Sequence, residues 1–443
     1  MWEYKKIFIL GMARSGYEAA KLLTNKNNKV LITDMKEQNE EHVKELKDLG
    51  VEFVISNEPE LILDNSYDVV VKNPGINKEH PLVIKAKKLN IPVINEVEVA
   101  YHYLPKDITI IGITGSNGKT TTTTIIYEIL KAAKKSVHLA GNIGFPLCSI
   151  VNHIKEGDIL VIEISSHQLV DFDKFKTDIA ILTNLFETHL DFFKTYKNYI
   201  NNKGRIFKYH THNNLAIINK NNKDSLMLTK NIAAKKIYFS INKKTDSYLD
   251  NNIIYYNNEE IIKVENIKIK GNYNYENIMC AIMVVKKFNV DNEVIKKVLK
   301  DFSGVEHRIE YVKELNSRTF YNDSKSTNVN ATKMALRSFK SPIILILGGL
   351  NRGLPFDDLE QDMKYVKDIV CYGETKYIIK KFADKINISC NVVDNLKQAI
   401  NKSYELSNPK DIILFSPACA SWDQYQDFEE RGEQFKKIVN TLK

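Results

Sequence analysis

The stretch ITGSNGKTTTTT, Ile113 to Thr124, follows Gly112 and so sets glycines, a lysine and a run of hydroxyls in the pattern G-x-x-G-x-x-G-K-T. A loop that holds nucleotide phosphates needs backbone N–H groups turned inward, glycines at unusual φ and a helix N-terminus behind them. Gly112, Gly115 and Gly118 are expected to supply the glycines, Lys119 to reach the β- and γ-phosphates, and the Thr120 hydroxyl to ligate Mg²⁺. The spacing departs from G-x-x-x-x-G-K-[ST], which would place glycine where Ile113 stands. An ordinary glycine-rich turn is the bland alternative.

Other residues invite a chemical reading. Gly11-Met-Ala-Arg-Ser-Gly16 and Asp34 resemble a dinucleotide fingerprint without its middle glycine, or else a tight β–α turn with a strand-end acid. Glu163 closes the apolar run Ile159–Ile162, where α/β folds place a Mg²⁺ ligand, and Ser165–Gln168 reads as a polar loop. His189 lies in Glu187-Thr-His-Leu-Asp191; a lone histidine is as readily a satisfied surface or core residue as a ligand. Zinc spacing and H-E-x-x-H are absent, which disfavours a metalloprotease.

The elements that must position these groups alternate between strand and helix patterns, with three restarts, at Lys6, Ile108 and Arg318. With 443 residues, and roughly 150 per domain, about three domains are expected. The first is a doubly wound α/β unit closing near Leu104-Pro105, and the Asn-rich stretch from about 235 to 270 predicts an antiparallel edge in the second. The third begins with the strand Arg318–Tyr321.

Composition narrows the function classes. Apolar residues make up 43% and charged residues 27%, as in a globular chain. The formal net charge of +8 is dispersed among acids rather than gathered in a groove-sized patch, so no nucleic-acid partner is expected and an anionic small molecule fits it. Five scattered cysteines and no C-x-x-C argue against disulfides or a zinc site. No apolar run approaches a membrane span and the N-terminus reads as a first strand, so no membrane contact and a cytoplasmic address are expected.

Taken in order, GITGSNGKTT, GNIGFPL, EISSHQL, NLFETHLD, NYINNKGRI, GNYNYENIMCA, HRIE, NDSKSTN, LGGLNRG and SPACASWDQYQDFEERGEQF resemble the landmarks of the Mur ligase family across essentially the whole chain. NDSKSTN and the C-terminal block are most similar to the D-glutamate-adding branch. Folylpolyglutamate synthase shares the phosphate loop without that block, and the D-N-P-R motif of the diaminopimelate- or lysine-adding sister is absent.

The resemblance implies an α/β fold of three domains. These are an N-terminal Rossmann-like UDP-binding domain (1–104), a central P-loop ATPase-like domain with a mostly parallel sheet (105–304) and a C-terminal Rossmann-like amino-acid-binding domain (305–443). It implies an ATP-dependent amide ligase that works as a monomer on UDP-N-acetylmuramoyl-L-alanine and D-glutamate through an acyl phosphate. Gly115, Ser116, Asn117, Gly118, Lys119, Thr120, Thr121, Asn274, Asn277, Arg308, Asp323 and Lys325 would serve ATP. Arg14, Ser15, Asp34, Lys36, Asn73, Pro74, Gly75, Asn142 and Gln168 would face the UDP-sugar, and Thr327, Arg352, Ser421, Trp422 and Phe428 would face D-glutamate.

Thr120, Glu163, His189 and Lys203 would hold two Mg²⁺ ions, with Lys119, His189 and Lys203 catalytic. Composition alone makes Lys203 a solvated helix lysine; the resemblance makes it the lysine that takes up CO₂ as a carbamate. Tyr273 stands where family members often have His, Arg352 where some have Lys, and Trp422 where some have Leu in apolar packing.

Overall fold

Short apolar runs punctuated by glycine and asparagine turns form the strands of three sheets, and amphipathic stretches between them form the helices that cover those sheets. The structure is a computed structural model that describes residues 2–443 except 352, 354 and 355, with the backbone alone at 191 and 330. It contains two compact units, 1–302 and 303–443.

The first unit holds two sheets. Strands β1 (Lys6–Leu10), β2 (Lys29–Asp34), β3 (Glu52–Ile55), β4 (Val69–Lys72) and β5 (Val93–Ile94) are parallel in the order β3-β2-β1-β4-β5. The chain winds outward through β3, then crosses back to β4. Its switch point therefore lies between β1 and β4, where such sheets bind ligands beyond the strand C-termini.

The second sheet comprises β6 (Thr109–Thr114), β7 (Val137–Gly141), β8 (Ile159–Glu163), β9 (Ile179–Leu182), β10 (Leu215–Asn219), β11 (Lys235–Ser240), β12 (Ser247–Asp250), β13 (Ile253–Tyr256) and β14 (Glu259–Lys263). Their order is β14-β13-β12-β11-β10-β9-β6-β8-β7. The expected antiparallel edge is present as β12, β13 and β14, while β11 pairs in parallel on both sides. One apolar core runs through both sheets, from Ile7 and Ile9 in β1 to Leu160 and Ile162 in β8.

Polar groups lock the helix Glu96–Tyr101 into that shared interior. The Glu98 carboxylate accepts from the backbone N–H groups of Asp173, Lys174 and Phe175, and Asn95 donates to the Gln168 carbonyl. Buried Glu96 accepts from Cys148 N, and burial lifts its carboxyl from 4.5 to about 7. Between those values the folded chain keeps a proton that the unfolded chain has lost. Stability therefore falls as pH rises across that window, by about 3 kcal/mol in all. Glu96→Gln should remove the slope, melting several degrees above wild type at about pH 8 and together with it below about pH 4.5. Calorimetry showing the variant less stable at the higher pH would reject this assignment.

The second unit carries β15 (Glu310–Leu315), β16 (Arg318–Asn322), β17 (Ile343–Gly348), β18 (Val366–Tyr372), β19 (Ser389–Val392) and β20 (Ile412–Phe415), in the order β15-β16-β20-β17-β18-β19. Sequence patterning starts this sheet at Arg318, but an antiparallel hairpin strand, β15, precedes it. Asn316 and Ser317 both take positive φ in the two-residue turn, as such hairpins demand, without the glycine that would advertise it.

Candidate active site

The phosphate loop joins β6 to the helix Lys119–Ala132. Gly115 and Gly118 take φ of +144° and +82°, and a Cβ would stand 2.0 Å from Thr183 Oγ1 at the first and 2.2 Å from Asn277 Oδ1 at the second. Gly112 does not share this role. It lies inside β6, where a Cβ would meet the Thr177 methyl at 2.5 Å, so packing rather than φ requires it.

The loop is seated on the segment after β9. Ser116 N donates to the Asn184 carbonyl, Asn117 N to Asn184 Oδ1, and Thr183 Oγ1 to the Asn117 carbonyl. Lys119 Nζ arches back to donate to the carbonyls of Gly115 and Ser116, at 3.0 Å each. Thr120 is buried and Thr121 half-buried on the first helical turn, whose N–H groups and dipole favour an anion. Asn277 accepts from Thr122 Oγ1, and Asn274 caps the Lys270 carbonyl one turn earlier, beside exposed Tyr273.

Glu163 ends β8, the neighbour of β6, in register with Ile113. It is buried; Oε1 accepts from Asn142 Nδ2 at 2.7 Å, while Oε2 has no hydrogen-bond partner. A buried carboxylate oxygen left bare calls for a cation, and the oxygen donors Thr120 and Glu163 suit Mg²⁺. Among the described residues, the ready-made cluster of His and acidic ligand atoms lies elsewhere, at Glu306, His307 and Glu433. There the Lys436 ammonium, 3.0 Å from Glu306 and 2.6 Å from Glu433, already supplies the positive charge.

Lys203 is not solvated. It closes the helix Tyr196–Lys203, is 1% exposed, and donates from Nζ to Thr114 Oγ1 at 2.9 Å. Burial drives its pKa well below the lysine range, the Lys119 charge adds to the shift, and Glu163 opposes it. The shift favours the neutral, nucleophilic form of the amine. His189 takes a left-handed φ of 56° ahead of the helix Leu190–Phe193, with its ring 5.0 Å from that of His167 and 6.2 Å from that of Tyr199. Tyr199, whose ring lies 5.6 Å from Lys203 Nζ, also meets Ser116 Oγ at 2.8 Å. Tyr199, Thr183 and Asn184 escaped sequence reading, although their places one turn before Lys203 and just past β9 were available signals.

At the switch point of the first sheet, Asn73 Nδ2 donates to Ser15 Oγ at 3.4 Å and Gly75 N to Asn73 Oδ1, with Pro74 between. Arg14 reaches the Gly144 carbonyl at 2.9 Å, beside Asn142. Asp34 spends both oxygens on the backbone N–H groups of Met12 and Lys36, which makes it an organiser of the turn. A cavity of about 710 Å³, lined by Arg14, Tyr17, Gln38, His42 and Phe145, adjoins this cluster. Ser165–Gln168 is not a loop: Ser165 caps the helix Ser166–Val170, and Gln168 Oε1 returns to Ser165 N as a capping box.

In the second unit, β16, β20 and β17 are adjacent and parallel, so the loops that follow them leave one edge of the sheet together. Asp323 is buried; Oδ1 accepts from Ile309 N and Oδ2 from Ser416 Oγ, and burial lifts its carboxyl to about 6 against the pull of Arg308. Lys325 Nζ lies 5.5 Å from the Phe428 ring centroid. Thr327 is half-buried, and Ser421 is buried with its carbonyl accepting from Gln424 N and Tyr425 N. Trp422 is 62% exposed, so it is not a core residue. Arg352 lies outside the described residues.

Three family profiles match consecutive stretches: the Mur ligase MurD-like N-terminal domain over residues 5–95, the Mur ligase middle domain over 113–285 and the Mur ligase glutamate ligase domain over 307–419. The chain belongs to the Mur ligase family. This Mur ligase is 43% identical over 447 residues to the UDP-N-acetylmuramoylalanine--D-glutamate ligase of Geobacillus kaustophilus, covering 100% of this chain and 99% of the relative. It is 42% identical over 445 residues to the ligase of the same name in Bacillus mycoides, covering 100% and 98%. Among solved structures, it shares its fold with the UDP-N-acetylmuramate-alanine ligase of Thermotoga maritima. The TM-score is 0.60 at 17% identity, over 99% of this Mur ligase and all of that chain.

Proposed function

We propose that this Mur ligase joins D-glutamate to UDP-N-acetylmuramoyl-L-alanine at the expense of ATP, in the synthesis of peptidoglycan precursors. The observation that carries this reading is the 42–43% identity over full length to ligases of that name. The alanyl carboxylate attacks the γ-phosphorus and displaces ADP. The D-glutamate amine then attacks the acyl carbon, forming the C–N bond as phosphate leaves and the amine loses a proton. Such chemistry rests on positioning and charge neutralisation.

Each part of the site has a place in this scheme. Gly115–Thr121 and Lys119 hold the ATP phosphates; Asn274 and Asn277 face the adenine, and Arg308, Asp323 and Lys325 complete nucleotide binding. Arg14, Ser15, Lys36, Asn73–Gly75 and Asn142 hold the UDP-sugar, with Asp34 shaping their turn. Thr327, Ser421 and Phe428 hold the acceptor, whose amine must stay free of a carboxylate clamp.

Mg²⁺ supplies Lewis-acid neutralisation of the transferring phosphoryl group. Thr120 and Glu163 hold one ion; His189 and Lys203, as its carbamate, hold a second. The depressed Lys203 pKa supports that carbamate, because only the neutral amine adds to CO₂. The enzyme acts as a monomer in the cytoplasm with 1–104, 105–304 and 305–443 as its functional domains. No helix among the described residues is long and apolar enough to cross a membrane.

A panel of acceptors tests the assignment. ADP release should require both UDP-N-acetylmuramoyl-L-alanine and D-glutamate, with L-glutamate, L-lysine and diaminopimelate inert. Turnover with any of these three and none with D-glutamate would overturn it.

A further inference from the structure

One arginine in the helix Phe428–Thr441 has no part in the roles above. Arg431 is completely buried. Its Nε donates to Ser324 Oγ at 3.0 Å, and its Nη2 to the carbonyls of Ser324 at 2.8 Å and Cys419 at 3.1 Å. Ser324 Oγ in turn donates to the Phe428 carbonyl at 2.8 Å, one turn back on the same helix. A single guanidinium thus ties the loop after β16 to the loop after β20.

The third strand-end loop leans on the same group. At Gly349, with φ +144°, a Cβ would stand 2.3 Å from the Ala420 carbonyl oxygen and 3.2 Å from Arg431 Nη1. Leu350 N donates to that Ala420 carbonyl, and Thr375 Oγ1 to the Gly349 carbonyl. Nη1 itself is buried with no hydrogen-bond partner, and Asp423 Oδ1, the carboxylate oxygen of a group that feels the Arg431 charge, is in the same condition. Burying a guanidinium with a donor unsatisfied is a poor way to gain stability. Its rigid fork is a good way to fix the spacing of three backbones.

We propose that Arg431 is the positioning residue of the amino-acid acceptor pocket, setting the mutual placement of the loops that begin at Asp323, Gly349 and Ser416. The proposal rests on the reading that this unit binds the acceptor. Donors presented by different loops recognise a small dicarboxylate only while their spacing holds, and misplacement by an ångström is severe.

The test is a KM split. In Arg431→Lys the KM for D-glutamate should rise about tenfold or more, with that for UDP-N-acetylmuramoyl-L-alanine within about twofold and that for ATP rising by less than the acceptor's, because Asp323 and Lys325 flank the Ser324 that Arg431 holds. Ser324→Ala, which removes the Nε acceptor and keeps the arginine, should shift the same parameter less, and carries the test alone if the first variant does not fold. Methylguanidinium added to Arg431→Ala should bring the acceptor KM back toward wild type. An unchanged acceptor KM in the folded variants, or an equal rise for all three substrates, would overturn the proposal. Should wild type prefer another amino acid, the functional reading fails, and the same split is read with that acceptor.

Discussion

Lys203→Ala should lower ligase turnover by roughly a hundredfold or more, and short carboxylates such as formate or acetate should restore part of it. The expectation follows from where the amine sits. It is sealed beside Thr114 at the end of β6, with Lys119 and Glu163 as the charges that shift it. A cation there repels both the phosphate-loop lysine and any Mg²⁺ on Glu163. Addition of CO₂, as proposed, would replace it with an oxygen-bearing anion of the kind Mg²⁺ prefers. Alanine opens a space that a small carboxylate can fill. ¹³C-labelled bicarbonate should give a carbamate resonance in wild type and none in the variant. Wild-type-like turnover in Lys203→Ala, or a wild type without that resonance, would sink the carbamate and with it the second metal site.

The second large effect is expected at Glu163. Glu163→Gln keeps the side chain's shape and the oxygen that Asn142 donates to, but removes the charge behind the bare Oε2. Activity should fall by about 10²–10³-fold, and the Mg²⁺ concentration for half-maximal rate should climb about tenfold or more. The free protein should melt no lower than wild type, since a buried unpaired charge has been removed. The rise in melting temperature that Mg²⁺–ATP gives to wild type should shrink in the variant, because ligand stabilisation scales with affinity. A variant with unaltered Mg²⁺ dependence would place the metal on other oxygens.

The parts of this site that could be read from sequence were those whose chemistry is local. Gly115, Gly118, Lys119 and Thr120 occupy one turn between a strand and a helix, so the preceding strand pattern, the lysine and the hydroxyl together pointed to it despite the departure at Ile113. The three loops proposed to hold the acceptor stood out as strand-end turns because each follows a strand pattern, Arg318–Asn322, Ile343–Gly348 or Ile412–Phe415. What escaped depends on tertiary placement. Lys203 looks solvated until its helix end is packed beneath β6, and Gly112 looks like a loop glycine until the Thr177 methyl is set against it. Ser165–Gln168 carries the S-x-x-Q signature of a capping box, but its polarity suggests a loop. β15 hid because Glu, Lys and Tyr on a hairpin edge give no clean alternation.

The apolar core shared by the first two sheets bears on how such an enzyme can diversify. Since Ile7 and Leu160 belong to one interior and Glu98 caps three amides of the next sheet's segment, residues 1–104 are not a detachable cassette. A recombination joint near Leu104 would bury mismatched surfaces and strand those amides without an acceptor. A joint near Phe302 leaves each side with its own complete interior, because the cores of the second unit draw on none of the first unit's residues. With the acceptor held in the second unit, as proposed, acceptor choice could be exchanged as a block, whereas the portions proposed for the nucleotide-sugar and the phosphates would have to change in concert.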